Sequence, residues 1–421
     1  MTADDKLQLV TEGKARFRAF LLPAKAQSDS SEYNGDLERW EQCSVPTRSM
    51  PVFYNPAMVV NRNISVLAVN AWRSKPKGPM NICDAMCGAG IRGIRYLLES
   101  GIDGAHVDFV DLNPAAIRLC RENIELNHIP TTTYKTHTQD ANAFLFGRAV
   151  SKEDRFAVID LDPFGNPLPY IDGALKALQR VAGLLHVNAT DLAVITGVHR
   201  LSTLRKYQTT PMRDVPHHAE ISARVVIGAI FKKAMEQDFS IKPLFTIARH
   251  HFVKVILERA SSIEQANEDR QHSIGYLMQC RACKDHFAIP LDGLRAAMEC
   301  PACKSPRVDH AGPLWTGELE DAEFCATLSK NSKEFRYMKG KQETAKLLGL
   351  AADASGFPPG SHDAHEIAES LKMSPPSMDT IIEELRRAGF KAARDVINPT
   401  AIKTTASRAD VAAAIRENQH A

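Results

Sequence analysis

The stretch "VIDLDPFGNPLPYIDGAL", Val158 to Leu175, sets two carboxylates, Asp160 and Asp162, at the end of an apolar run that breaks into Pro163, Phe164 and Gly165. Turn chemistry accounts for the proline and the glycine. It gives no reason for an acid and a large aromatic to stand together where a strand leaves the core. Methyl transfer to an exocyclic amino group of a nucleobase does give one. The lone pair of such an amine is delocalised into the ring, so the nitrogen is a poor nucleophile. A carboxylate accepting its N–H groups localises that pair and offsets the positive charge that develops during transfer. An aromatic face can hold the base once it has left its stack. On this reading Asp162 polarises the amine, Pro163 fixes the turn and Phe164 stacks on the base. The competing arrangement is a core phenylalanine after a helix-capping aspartate. For an isolated Asp-Pro-Phe-Gly that arrangement has the edge.

Upstream residues shift the balance. "DAMCGAGIRG", Asp84 to Gly93, puts Gly88, Gly90 and Gly93 between a strand and a helix. There the backbone must approach a ligand closely and its N–H groups point outward. The spacing is G-x-G-x-x-G, which suits either a tight turn or a nucleotide phosphate. Asp111 ends the next strand about 20 residues on, where an acid can grip ribose hydroxyls. A third acid, Asp140, follows the third strand. Dinucleotides and S-adenosylmethionine both present an adenosine to such a sheet, so these features fit either. The Asp162 turn separates them, because an oxidoreductase has no special use for it.

A second constellation is C-x2-C-x16-C-x2-C at Cys280, Cys283, Cys300 and Cys303. Two knuckles at that separation suit four thiolates around a tetrahedral Zn²⁺. A site closed by four protein ligands is structural and takes no part in catalysis. His286 and His310, the nearby imidazoles, are read as non-ligands, and Cys83, Cys87, Cys120 and Cys325 as small core residues. The adjacent His217 and His218 read as a solvent-exposed loop pair.

Elements that position these residues follow from periodicity. From "MNICDAM" to about Ala260, apolar strands alternate with amphipathic helices, which implies a parallel sheet with helices on both faces. The strands are "MNICDAM", "HVDFVDL", a third just before Asp140, "RFAVIDLD" and, fifth, "LHVNATD". The helices are "IRGIRYLLES", "NPAAIRLCRENIELN" (Asn113 capping, Pro114 in the first turn), a helix through "YIDGALKALQRVAGLL", and "AEISARVVIGAIFKKAMEQ". "IKPLFTIARHHFVKVILERA" closes the segment as a strand pair. Residues 1–55 read as irregular, with surface loop at "AQSDSSEYNGD". "SSIEQANEDRQHS" reads as a polar linker before the cysteine block. The tail from His362 reads helix, Ser-Pro-Pro turn, helix and a short extended region, as in a helix-turn-helix or winged-helix module.

With 421 residues the chain has room for two or three domains. Its 52 Lys+Arg against 50 Asp+Glu mean that any nucleic-acid surface must be local. Basic residues do gather in "HRLSTLRKY", "RHHFVKVILER", "CKSPRVDH", "KEFRYMKGK" and "RRAGFKAARD". No basic-then-apolar leader opens the chain and no run of about 18 apolar residues occurs, so a cytoplasmic protein with no membrane span is expected.

In "PVFYNPAMVVNRNISV" (51–66), "DAMCGAGIRGIR" (84–95), "DLNPAAI" (111–117) and "DLDPFGNPLPYID" (160–172) the sequence resembles the archaeal-type tRNA (guanine-26, N2) dimethyltransferase family. "LRKY" (204–207), "GPLWTGEL" (312–319) and "FKAARDVINPTAIKTTA" (390–406) extend the likeness over most of the chain. The resemblance implies a Rossmann-like, S-adenosylmethionine-dependent α/β methyltransferase domain over 1–265 with an N-terminal extension. A smaller α+β tRNA-binding domain over 266–421 would carry the zinc knuckles (280–303) and a winged-helix-like tail (362–406). It implies cofactor ligands at Arg62, Asp84, Gly88, Gly90, Arg92 and Asp111, with Asp140 and Ala141 at the adenine. It also implies a catalytic carboxylate at Asp162, and Phe53 and Phe164 on the target guanine. The expected reaction is mono- and dimethylation of guanine 26 at N2, with tRNA as partner and no obligatory protein partner. The alternatives are an adenine or cytosine amino-methyltransferase acting on nucleic acid, or a non-catalytic zinc RNA-binding protein.

Overall fold

The run before Asp162 forms a strand in which every residue from Val158 to Leu161 is buried. The computed structural model describes residues 7–21, 51–73, 80–151, 155–249, 252–260, 262–293 and 299–417. Two units interleave along the chain: one takes in 1–162, 176–179 and 330–345, the other the remainder.

In the first unit, β1 (Leu7–Glu12) and β2 (Ala15–Phe20) form an antiparallel hairpin, and α1 (Val59–Trp72) follows. Then come β3 (Asn81–Ala85), α2 (Ile91–Glu99), β4 (His106–Asp111), α3 (Pro114–Leu126), β5 (Tyr134–Thr138), α4 (Ala141–Val150) and β6 (Val158–Leu161). β3 pairs in parallel with β4 and β6, and β4 with β5. Register sets Asp84 opposite Asp160 on one side and Phe109 on the other, and Asp111 opposite Thr138. The acids therefore gather toward the strands' carboxyl ends, where such sheets hold ligands. Burial on both faces explains why β3 and β6 read as apolar runs without alternation. Helix starts are set locally: Asn113 Oδ1 accepts from Ala115 N at 2.9 Å at the head of α3, and Asp140 Oδ1 from Ala143 N at 3.0 Å at the head of α4.

The second unit contains most of α5 (Leu168–Ala177), then β7 (Leu184–Ala189), α6 (Leu192–Ile195), α7 (Arg200–Tyr207), α8 (His218–Met235), β8 (Ser240–Arg249) and β9 (Phe252–Ala260). β9 pairs antiparallel with both β7 and β8. The strand order is β5-β4-β3-β6 in the first unit and β7-β9-β8 in the second. Beyond β9 in the chain lie α9 (Ile263–His272), β10 (Ile274–Cys280), β11 (His286–Pro290), β12 (Val308–Trp315), α10 (Ala322–Ser332) and α11 (Lys341–Asp353). β11-β10-β12 is a three-stranded antiparallel ribbon. The tail has β13 (His362–Asp363), α12 (Ala364–Ser370), α13 (Met378–Arg387), β14 (Ala392–Arg394), β15 (Ala401–Thr404) and α14 (Arg408–Glu417). Ile367, Ile381, Leu385, Ile402, Val411 and Ile415 form its own core. Among the described residues no helix is long and apolar enough to cross a membrane.

Three expectations are corrected. The opening residues are not wholly irregular, because "ARFRAF" alternates buried and exposed and forms β2; "AQSDSSEYNGD" lies outside the described residues. The expected linker contains α9: Ser262 Oγ accepts from Gln265 N at 3.0 Å, the first half of a Ser-x-x-Gln capping box legible in the sequence. The helix expected to run on to Leu185 stops at Ala177. Leu184 and Leu185 are buried in β7 opposite Glu258 and Leu257, and that pairing outweighs the helical period.

Candidate active site

β3 runs into a loop where Gly88 and Gly90 adopt left-handed backbone, with φ of +54° and +79°. A Cβ on Gly90 would lie 2.5 Å from Cys120 Sγ, and one on Gly93 would lie 2.3 Å from the Phe109 ring. The glycines thus serve close packing of α2 as well as the turn. Gly88 N donates to Asp111 Oδ2 at 2.9 Å, and Asn113 N to Asp111 Oδ1 at 2.8 Å. The glycine loop and the second strand-end acid are one connected structure. Asp84 Oδ2 accepts from Gly93 N at 2.8 Å, in the first turn of α2.

Arg92, buried on α2, is the centre of the site. Its Nη2 meets Asp162 Oδ2 at 2.6 Å and its Nε stands 3.5 Å from Asp160 Oδ1. Asn61 Oδ1 (3.1 Å) and Ser65 Oγ (2.9 Å), one turn apart on α1, take Nη1. Tyr96 donates its hydroxyl to Asp160 Oδ2 at 2.5 Å. Three carboxylates thus surround one guanidinium. Burial, with Asp160 adding to it, pushes Asp84 up to about 7 even though Arg92 pulls the other way. Asp162 is the one of the three that reaches solvent, its side chain 31% exposed. Phe164, two residues on, is 57% exposed, which excludes a core role.

Behind α1 lies a second buried ionic group. Glu12, from β1, takes Arg62 Nε (2.7 Å) and Nη2 (2.5 Å), Arg95 Nη1 (2.8 Å) and the Tyr54 hydroxyl (3.0 Å). Arg95 also binds Glu99 through Nε at 2.8 Å, so two acids balance two bases. Burial alone would raise Glu12, but Arg62 and Arg95 outweigh it and hold the carboxyl at about 2. Arg62 Nη1 donates to Asn55 O at 3.1 Å; of the five guanidinium N–H groups these bonds use three. Phe53 is half-buried, its carbonyl against Gly88. Asp140 is an exposed cap and Ala141 is buried beside it.

In the second unit the turn after Asp162 is tied to the end of β7. Gly165 N donates to Thr190 Oγ1 at 2.7 Å and Thr190 N to Gly165 O at 3.0 Å. Asp191 accepts from the Tyr207 hydroxyl at 2.8 Å. Sequence reasoning missed Thr190, Asn61 and Ser65, gave Asp160 no partner, and missed Glu12, Tyr54, Arg95 and Glu99 around Arg62. The buried polar residues clustered in "NRNIS" were the signal available for the α1 members.

The four cysteine sulfurs lie within 4.8 Å of one another, with Cys280 Sγ to Cys303 Sγ at 3.6 Å and Cys283 Sγ to Cys300 Sγ at 3.7 Å. Zn–S bonds of about 2.3 Å in a tetrahedron require sulfurs about 3.8 Å apart. Ala282 N points at Cys280 Sγ from 3.4 Å. Cys83, Cys87, Cys120 and Cys325 are buried, as expected. His218 is exposed, but His217 is buried, contrary to the expectation of an exposed pair.

A sheet whose strands end in acids, with a glycine loop opening the next helix and a carboxylate-proline-aromatic turn, defines an α/β enzyme of the methyltransferase class. The family model for N2,N2-dimethylguanosine tRNA methyltransferases matches residues 36–416. The tRNA (guanine(26)-N(2))-dimethyltransferase of Methanothermobacter thermautotrophicus is 32% identical over 363 residues, 86% of this chain and 91% of its own. That of Metallosphaera sedula is 33% identical over 398 residues, 93% of this chain and 94% of its own. Trm1 from Pyrococcus horikoshii, solved in complex with S-adenosyl-L-methionine, aligns at a TM-score of 0.77 and 27% identity over 97% of this chain and 100% of that one. The chain belongs to the N2,N2-dimethylguanosine tRNA methyltransferase family.

Proposed function

We propose that the protein transfers methyl groups from S-adenosylmethionine to the exocyclic N2 of guanine 26 in tRNA, in one and then two steps, acting in the cytoplasm. The observation that carries this is the Asp162 carboxylate: it sits at the mouth of β6 beside the glycine loop, one oxygen held by Arg92 at 2.6 Å. S-adenosylmethionine, when bound, supplies an electrophilic methyl on sulfur. Gly88, Gly90 and Asp84 would shape its binding loop, Asp111 would take the ribose hydroxyls, and Asp140 with Ala141 would meet the adenine. Arg92 and Arg62 would hold its carboxylate end.

On the acceptor side, Asp162 takes an N–H of the guanine amine and localises the nitrogen lone pair. Pro163 holds the turn, and Phe164 and Phe53 stack on the base after it leaves the tRNA. Each transfer forms an N–C bond, breaks the S–C bond to release S-adenosylhomocysteine, and sends one amine proton out past Asp162.

This reading divides the chain into a methyltransferase domain over 1–265 and a tRNA-binding domain over 266–421. In the latter, Zn²⁺ would be held by Cys280, Cys283, Cys300 and Cys303 beneath a winged-helix-like tail. tRNA affinity should fall as salt rises, since phosphate contacts release counterions. The test is transfer of labelled methyl to tRNA transcripts carrying guanine or adenine at position 26, followed by nucleoside mass spectrometry. N2-methylated guanosine from the guanine transcript alone is expected. Label on adenine would move the enzyme to the rival amino-methyltransferase reading, and no label would remove the enzyme claim.

A further inference from the structure

Three imidazoles converge in the second unit, outside the four-thiol set. His217 stands before α8, His286 opens β11 and His362 opens β13. The His286 ring lies between the others, its centroid 4.7 Å from His217 and 4.5 Å from His362. A carboxylate oxygen of Asp285 and one nitrogen each of His286 and His362 lie within 4.8 Å of one another. His217 is 2% exposed. Neither of its nitrogens makes a hydrogen bond of normal geometry, the backbone of Ser361 being the polar group that faces it.

The surroundings orient these groups as outer partners orient metal ligands. His362 Nε2 faces Ala406 O at 3.3 Å, which fixes the proton there and leaves the Nδ1 lone pair to give. Asp285 Oδ1 accepts from His286 N (3.0 Å) and Arg408 N (3.3 Å), which aims the carboxylate. Gly360, at φ +96°, clamps the His286 ring: a Cβ there would lie 2.2 Å from Cδ2. Ring packing alone accounts for the stack but leaves His217 buried without a well-formed hydrogen bond.

We propose that Asp285, His286 and His362 form a second metal site, taking a zinc-class divalent cation through two nitrogens and one oxygen, with His217 facing a water on the remaining position. One oxygen and two imidazoles with an open fourth place is a donor set that borderline cations accept. Its ligands come from the ribbon (Asp285, His286) and the tail (His362), so the metal cross-links two modules of the second unit. It goes beyond the methyl-transfer reading and does not depend on it.

The test is metal counting on the full chain. The protein is stripped with a chelator under reducing conditions, reloaded with Zn²⁺ and gel-filtered, and a parallel sample is titrated with Co²⁺. Two zinc ions per chain are expected, and with cobalt a thiolate charge-transfer band plus a second, weaker set of visible bands. His362→Gln and Asp285→Asn should each keep the thiolate band and lose one metal equivalent with the second set. If His362→Gln does not fold, Asp285→Asn and the wild-type count still decide. A wild-type count that stops at the thiolate centre overturns the site, as does a second equivalent that survives both substitutions. One equivalent with no thiolate band would remove the cysteine centre and leave this one standing.

Discussion

Arg92 Nη2 stands 2.6 Å from Asp162 Oδ2 while its Nε stands 3.5 Å from Asp160 Oδ1. One guanidinium therefore orients the acid proposed to touch substrate and neutralises the buried acid one strand residue from the turn. With Oδ2 taken, Oδ1 of Asp162 is the acceptor on offer to the amine. Asp162→Asn keeps the shape and removes the charge, so turnover should fall about 10²- to 10⁴-fold. Binding of S-adenosylmethionine should stay within about threefold, because Gly88 and Asp111 are untouched and the amide oxygen of the variant can still accept from Arg92 Nη2. Steady-state kinetics and equilibrium cofactor binding check the pair. Loss of both together would make Asp162 a structural residue.

Glu12 ties the N-terminal hairpin to α1 and α2. It sits fully buried between Arg62 and Arg95, and its carboxyl is held at about 2. Since that is below its ordinary value of 4.5, the stabilisation is fully present above about pH 4.5 and is lost as pH falls through about 2. Glu12→Gln should lower stability by about 3 kcal/mol at neutral pH, because a buried pair is broken and a charge is left uncompensated. Melting curves of both proteins should converge as pH drops from 4.5 toward 2. A gap that stays constant over that range would mean the loss is steric.

How much of this was legible in the sequence depends on whether a residue's role is local. Asn113 and Pro114 act within a few residues of themselves, and the helix start they make was readable; Asp140, read as an adenine contact, also caps α4, which the reading did not say. The strand-end acids were readable too, since a parallel strand puts its last side chain at the ligand edge. Exposure of Phe164, which decides between a core ring and a stacking ring, needed the structure. So did the Arg92 group: its partners come from α1, β6 and the turn after β6, and nothing in spacing says that Asn61, Ser65 and Asp162 share one guanidinium. His217 was misjudged for the same reason. Its neighbours His286 and His362 are far away along the chain.

Phe164 offers a clean separation of binding from stability. At 57% exposed it contributes little to the core, so Phe164→Ala should leave the melting temperature nearly unchanged. Stacking of a base on an aromatic ring is worth about 1–3 kcal/mol, which corresponds to a fall of about 5- to 150-fold in kcat/KM for tRNA. Phe164→Tyr keeps the ring face and should restore most of it. Kinetics at sub-saturating tRNA read the effect directly. An unchanged kcat/KM in the alanine variant would detach Phe164 from the base.

The thiolate centre should matter for the fold of the second unit and not for the chemical step. Cys280 and Cys300 are fully buried and the sulfur spacing of 3.6 and 3.7 Å already fits four bonds to one ion. A cation with four protein ligands has no position left for substrate. Cys300→Ser should therefore lower the melting temperature by several degrees and release one zinc, measured by mass spectrometry of the metal. Single-turnover methyl transfer at saturating tRNA should keep its wild-type rate, while the tRNA concentration needed for half-saturation rises. The proposed placement of tRNA by residues 266–421 accounts for the second effect, and the Asp162 carboxylate, untouched, accounts for the first. A single-turnover rate that falls with zinc content at every tRNA concentration would put the metal in the reaction.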